Sequence, residues 1–448
     1  MQTPLTNRKI NLLQATSINM IDMVGIGPFV VMPFVVAQFD NGLFIWAWIF
    51  GAFTAFMDAM IWSELGAKYP LAGGTYNFHR IAFGEKGGKL MSFLFVWQTS
   101  IQAPLVVASA AFGFAQYLTY IVPLEVWQQK MVSGGLVILV FLLLYRKIET
   151  IGKISVVMGS IVVLTILWII ISGLTNQQQG IKLLPTGNES FFAYAFWAAI
   201  GQASVKTVYA YLGYYNVCHL GGEIKNPGKN IPRSIFISIF GIATLYLLMN
   251  ISVMGVMPWQ SVKEGDKYLV SSFMEHLYGH QAGIIVTVLI LCIAFSSLFA
   301  VVLGYSRVPY AAAVDGNFFK PFAKLHPTKN FPYISLIVLC AVGFLFSLLF
   351  KLSEVISSIL AMRIIIQFIG QGVGVALLRK KSGTKELPYK MWLFPLPVIL
   401  SVIIWLFLFI STGWFALWGS LIAVAGFIVY LMKTALEATR NQKLKTGN

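Results

Sequence analysis

Apolar residues occur along this chain in long unbroken runs, not at every second position and not confined to one face of a helix. Twelve runs stand out, at 14–37, 43–66, 90–121, 128–146, 153–173, 191–220, 233–257, 280–314, 332–350, 354–378, 391–411 and 413–435. A hydrocarbon layer about 30 Å thick is crossed by about 20 residues of helix. Inside lipid a helix satisfies its own backbone, which an open strand cannot do. The runs therefore predict an all-α polytopic membrane protein with twelve transmembrane helices, numbered 1 to 12 in chain order.

Two of the twelve are interrupted. Helix 1 contains Val24-Gly25-Ile26-Gly27-Pro28-Phe29, in which a proline without an N–H follows two poor helix formers. Helix 6 contains Tyr209-Ala210-Tyr211-Leu212-Gly213-Tyr214-Tyr215-Asn216, a glycine among polar aromatics at mid-depth. Broken backbone at membrane depth survives only where it is buried in protein or lines a wet cavity. A pair of such breaks in corresponding positions of two halves points to a transporter's binding site. Helices 1 and 6 each open a group of five, giving units at 1–175 and 190–380 related by an axis in the membrane plane, with helices 11 and 12 (391–435) added. The plainer alternative is that Gly25 and Gly27 serve close helix packing and Pro28 is an ordinary kink.

Composition sharpens this picture. Only 11% of the 448 residues are charged and 58% are hydrophobic, with a mean hydropathy of +0.77, against about 25% charged in a soluble domain. The net charge of +16 is not spread evenly. With a cytoplasmic N-terminus, 24 of the 32 Lys and Arg residues fall in the tails and inner loops, five in outer loops, and three (Lys206, Arg307 and Arg363) inside helices. That asymmetry is the positive-inside pattern and places both termini in the cytoplasm. It explains the basic balance without a nucleic-acid partner. The first 14 residues lead straight into helix 1 with no apolar core and cleavage site of a signal peptide. Cys218, Cys292 and Cys340 all lie in apolar segments, so no extracellular disulfide framework is expected.

Ionisable groups at bilayer depth are functional candidates by default, since each costs about 2.5–3.5 kcal/mol on insertion scales. Asp22 lies one turn before the helix 1 break, and Asp58 sits in the inner half of helix 2. Lys206 shares a face of helix 6 with Tyr209, and Arg363 lies about ten residues into helix 10. A structural ion-pair set is the plainer account of these four. Arg307, near the end of helix 8, is expected to solvate or pair there. On helix 3, Trp97, Gln98 and Gln102 could line a cavity or form a packed polar interface. Ser296 and Ser297 on helix 8 could hold Na⁺ with broken-helix carbonyls, or bond their own backbone. Desolvated Lys206 would suit H⁺ coupling. No metalloprotease, phosphate-loop, nucleophile-elbow or Cys-x-x-Cys motif occurs, so no catalytic residue, cofactor or metal is expected.

Several segments then resemble the amino acid–polyamine–organocation (APC) superfamily. The Gly25-Ile26-Gly27-Pro28-Phe29 run is similar to its glycine-rich helix 1 break. Ala210 to Ile235, with Gly222-Glu223 leading to Asn226-Pro227 and Ile231-Pro232-Arg233, looks like the L-type amino acid transporter branch. Glu64-Leu65-Gly66-Ala67 followed by Pro70 and Ala72-Gly73-Gly74-Thr75-Tyr76 resembles the loop after helix 2, and Ser306-Arg307 with Asp315-Gly316 the end of helix 8. The resemblance implies the 5+5 inverted-repeat fold and a secondary transporter moving amino acids across the cell membrane by alternating access. A polyamine or organic cation transporter, or a non-transporting nutrient sensor, is the alternative. It implies a substrate site at Gly25, Ile26, Gly27 and Pro28, and at Tyr209, Ala210, Tyr211, Leu212 and Gly213, with Tyr209 as an aromatic gate. Physically, the N-terminal end of a half-helix suits a carboxylate, and freed carbonyls suit an ammonium group. Three departures matter. Val162, with Ser160 nearby, stands where relatives carry a lysine on helix 5. The loop from Pro123 to Lys130 lacks the cysteine through which animal relatives join a glycoprotein, so no disulfide-linked partner is expected. Leu212 occupies a position often small or acidic, which narrows the site.

Overall fold

The computed structural model describes residues 8–39, 42–146, 148–180, 183–184, 191–258, 262, 268–349, 352–383 and 386–446. Lys147, Lys182, Lys263, Lys267, Lys351 and Lys385, six of the cations assigned to loops, lie outside the described residues. All twelve predicted helices are present among the described residues. Eight are long and apolar enough to cross a bilayer as single helices: 2, 3, 4, 5, 7, 8, 10 and 12. Helix 1 is a pair, Leu12–Met23 and Gly27–Val36, bent by 44° at its break. Helix 6 is Tyr194–Tyr211, then a turn, then the short helix Asn216–His219. Helices 9 and 11 are shorter apolar helices, Tyr333–Leu349 and Leu396–Ser411.

Local chemistry explains the ends. Helix 1 starts at a capping box, where the Asn11 side chain accepts from the Gln14 N–H and the Gln14 side chain from the Asn11 N–H, both at 3.0 Å. Helix 7 starts at Pro227, six residues before its apolar run, because proline at the first helical position loses no hydrogen bond. Helix 12 runs on to Thr446, beyond its apolar run. Two elements were not expected: the amphipathic helix Thr75–Ala82 after helix 2, and Leu269–Tyr278 between helices 7 and 8. A third is a π-helical stretch, Ile364–Ile369, inside helix 10.

The inner helices are distinguished from the rim by burial. In helix 10, 78% of the most apolar window is buried, and in helix 12 only 11%, so helix 12 exposes Leu421, Val424 and Phe427 to lipid. Helix 1 packs on helices 5, 7 and 8; helix 6 on helix 2; and helix 3 on helices 8, 9 and 10. The broken helices thus lie inside a shell of continuous ones.

Three buried or half-buried ion pairs tie the face that carries both chain ends. Arg379 on helix 10 forks onto Glu64 of helix 2, with Nε–Oε1 at 2.7 Å, and the Met391 N–H donates to the same carboxylate at 2.8 Å. Arg307 of helix 8 donates from Nε to Glu223 Oε1 at 3.1 Å and from Nη1 to the Leu303 carbonyl at 3.0 Å. Asp315 accepts from Arg80 Nε and from the Tyr76 hydroxyl, each at 2.8 Å. Glu64, Tyr76, Glu223, Arg307 and Asp315 all come from the motif segments singled out in the sequence, and these pairings are what unites them. The chain start joins this face too: the Lys9 and Ile10 N–H groups donate to the Glu223 carbonyl.

Candidate functional site

The two breaks meet. Helix 1 leaves α-geometry at Val24, whose ψ is 76°. Gly25 passes so close to helix 8 that a Cβ there would stand 2.6 Å from Ser297 Oγ. The second half-helix begins at Gly27, and its first intrahelical bond runs from the Val30 N–H to the Ile26 carbonyl at 3.1 Å. The N–H groups of Gly27 and Phe29 therefore have no partner within the helix, and Pro28 has none to offer. Helix 6 turns at Leu212 (ψ 147°) and Gly213 (φ +123°), the left-handed region that favours glycine. A Cβ on Gly213 would stand 2.7 Å from backbone atoms of Asp22 and Met23, so the two unwound backbones touch there.

One side chain spans both breaks. Tyr246, buried on helix 7, donates its hydroxyl to the Met23 carbonyl at 2.9 Å and the Ala210 carbonyl at 3.2 Å. Its ring packs edge-on against Trp48 and tilted against Tyr211. Nothing in the helix 7 sequence distinguishes this tyrosine from an interface residue. Two of the carbonyls expected for a substrate ammonium are thereby shared with protein.

A cavity of about 50 Å³ lies at the junction, room for a few water molecules or the polar end of a small solute. Asp22, Met23, Gly25, Ile26 and Gly27 of helix 1 line it, with Tyr209, Ala210, Leu212, Gly213 and Tyr215 of helix 6, Val106 and Ala110 of helix 3, Ser297, Val301 and Tyr305 of helix 8, and Ile359 and Arg363 of helix 10. Tyr209 and Tyr215 lie on opposite sides of the break. Towards the start of helix 6, the Tyr209 hydroxyl meets Ser109 Oγ of helix 3 at 3.1 Å. Towards its end, Arg363 donates from Nη2 to the Tyr215 hydroxyl and from Nε to Gln367 Oε1 at 2.9 Å. Its guanidinium lies 5.0–5.9 Å from the centres of the Tyr215, Phe368 and Tyr305 rings.

Most of the residues expected at the site are here, and some are not. Asp22 faces the cavity, its Oδ2 accepting from Asn216 Nδ2 at 2.9 Å. Ser297 approaches the Asp22 carbonyl at 3.4 Å. Pro28 and Tyr211 do not line the cavity: Pro28 is buried in the first turn of the second half-helix, and Tyr211 is taken up by Trp48 and Tyr246. Lys206 stands outside it, its Nζ bonded to Ser357 Oγ of helix 10 at 3.1 Å. Asp58 is held by the Trp62 indole at 2.7 Å and the Tyr214 hydroxyl at 2.5 Å, also off the cavity. Ser296 bonds its own helix at the Cys292 carbonyl, 2.7 Å. Trp97 reaches the Ile422 carbonyl of helix 12. Gln98 and Gln102 are buried, with amide groups that meet no hydrogen-bond partner among the described residues. Val162 is buried, and Ser160 is exposed and bonds its own backbone.

The model of the amino acid permease family matches residues 10–432. The uncharacterized amino acid permease YecA of Bacillus subtilis is 24% identical, over 96% of this chain and 97% of its own length. The serine/threonine exchanger SteT of the same organism is 25% identical, over 88% and 89%. Its glutamate/serine transporter AimA is 27% identical, over 79% and 68%.

Proposed function

This chain belongs to the amino acid permease family and transports amino acids, and we propose that it does so by alternating access around the cavity between its two broken helices. The observation that carries the reading is the meeting of the two unwound segments at one small cavity that five helices line. In this reading the substrate's α-carboxylate lies at the start of the second half of helix 1, facing the N–H of Gly27 and the positive end of the helix dipole. Its ammonium lies near Asp22 and the end of the first half-helix, where the dipole is negative. Tyr209 is the lid on one side, latched to Ser109.

The packing supports an inverted repeat of 1–175 and 190–380. Helix 1 on helix 7 and helix 6 on helix 2 are contacts that such a repeat exchanges, and both occur. The distribution of Lys and Arg supports a cytoplasmic position, at a cell membrane, for the face carrying both chain ends. For a coupling ion, Ser296 is not among the residues that line the cavity, which argues against a Na⁺ cage there. A proton moving through Asp22 suits this site better. The names of the two relatives above that carry a substrate, serine/threonine and glutamate/serine, support a polar amino acid as substrate.

The test is counterflow in proteoliposomes containing the purified chain. Preloaded unlabelled amino acid should drive uptake of the labelled one, and putrescine should not. Saturable binding in detergent without any flux would make the protein a sensor and defeat the transport mechanism.

A further inference from the structure

We propose that the substrate carries a carboxylate on its side chain, and that Arg363 is the residue that reads it. This rests on the transport reading above. Arg363 is 2% exposed and lines the cavity. The ion pairs among the described residues are Arg80–Asp315, Arg307–Glu223, Arg379–Glu64 and Glu275 with His280, so no carboxylate lies within 4.0 Å of its guanidinium. Its two hydrogen bonds go to neutral groups, Tyr215 and Gln367, and use two of five N–H donors. Among the described residues, the other buried arginine, Arg307, and the half-buried Arg379 each have a carboxylate in contact; this one has aromatic faces and an opening.

A guanidinium removed from water without an anion is costly. The group best suited to relieve that cost is a carboxylate arriving from the cavity, which the planar fork binds through two parallel charge-assisted hydrogen bonds. The remaining poles are already assigned. Asp22, on another element, faces the ammonium; the start of the second half-helix faces the α-carboxylate. Asp58 and Lys206 do not line the cavity. An amino acid with an acidic side chain presents three charges to three poles of opposite sign.

Aspartate and asparagine have the same shape and differ in side-chain charge, so their competition isolates this term. In proteoliposomes holding the full chain, unlabelled L-aspartate should compete with labelled substrate about tenfold or more better than L-asparagine, as expected where a hydrogen bond to a charged group is gained. In Arg363→Gln that ratio should fall to about one, and in Arg363→Lys it should survive in part. Equal competition by the two amino acids in the unaltered protein, with transport present, overturns the inference and leaves the transport reading standing. A ratio that persists in Arg363→Gln removes Arg363 as the reader. Absence of flux for every amino acid defeats the transport reading and this inference with it. Should Arg363→Gln fail to fold, the ratio in the unaltered protein decides alone.

Discussion

At the scale of single residues, the glycines of the two breaks differ in what they forbid. Gly213 combines a φ of +123° with a virtual Cβ 2.7 Å from the backbone of helix 1. Neither strain nor clash can be relieved by a side-chain shift. Gly27 has room: its Cβ would stand 3.5 Å from the Tyr209 ring, an ordinary contact. Gly213→Ala should therefore abolish transport, and Gly27→Ala should be mild. Gly27→Leu should be severe, because its longer side chain must enter the cavity. Uptake rates normalised to folded protein check this order, and an active Gly213→Ala would break it. Tyr209→Phe should keep the lid ring but lose the latch to Ser109, retaining more activity than Tyr209→Ala. In the sequence, the Gly-x-Gly-Pro run was the louder signal and Gly213 looked like one membrane glycine among many. The reverse ranking needs the positive φ and the neighbouring backbone, which no local pattern encodes.

At the scale of elements, the sequence showed where helices lie far better than how they are joined. Hydropathy finds a span because lipid demands apolar length, whatever the partners. It does not find the π-helical stretch of helix 10, whose residues Ile364–Ile369 read as ordinary apolar helix. That stretch begins directly after Arg363, and π-bulges recur at functional positions. The helix Thr75–Ala82 supports it: His79 Nε2 contacts the Ile366 carbonyl at 2.9 Å, and Thr75 donates to Gln371 Oε1 at 2.8 Å. Tyr246 plays the corresponding part for the breaks in helices 1 and 6. Tyr246→Phe keeps the ring packing and removes only the hydroxyl, so two buried carbonyls lose their donor. The expected cost is about 1–3 kcal/mol, read as a lower unfolding temperature in detergent and weaker substrate binding. Unchanged values for both would show that water replaces the hydroxyl at no cost.

At the scale of the whole molecule, the motif residues hold a face together more than they line the site. Glu64, Glu223 and Asp315 each pair with an arginine on another element, and the three pairs join helices 2, 6, 8 and 10 and the helix Thr75–Ala82. Motif recognition pointed to these positions but could not supply the partners, which come together only through the fold. The pairs differ in burial. Side chains of Arg379 and Glu64 are 8% and 3% exposed, and those of Arg80 and Asp315 are 25% and 12%. Arg379→Gln leaves a buried carboxylate without its cation and should destabilise the protein by about 3–5 kcal/mol. Arg80→Gln should cost about 1 kcal/mol or less. Thermal unfolding of the two variants side by side measures the difference, and equal losses would contradict the burial ranking.

The Tyr246 hydroxyl carries one hydrogen and faces two oxygens. Because the bond to Met23 is the shorter, 2.9 Å against 3.2 Å, the hydrogen belongs mostly to helix 1, and the Ala210 oxygen is left underserved. Helix 6 therefore keeps an unmet electrostatic demand, next to where the substrate's ammonium would arrive. Any rocking that draws helix 6 away from helix 7 deepens that demand, and an arriving cationic group lessens it. Occupancy and helix position are in this way tied to the allegiance of a single shared proton.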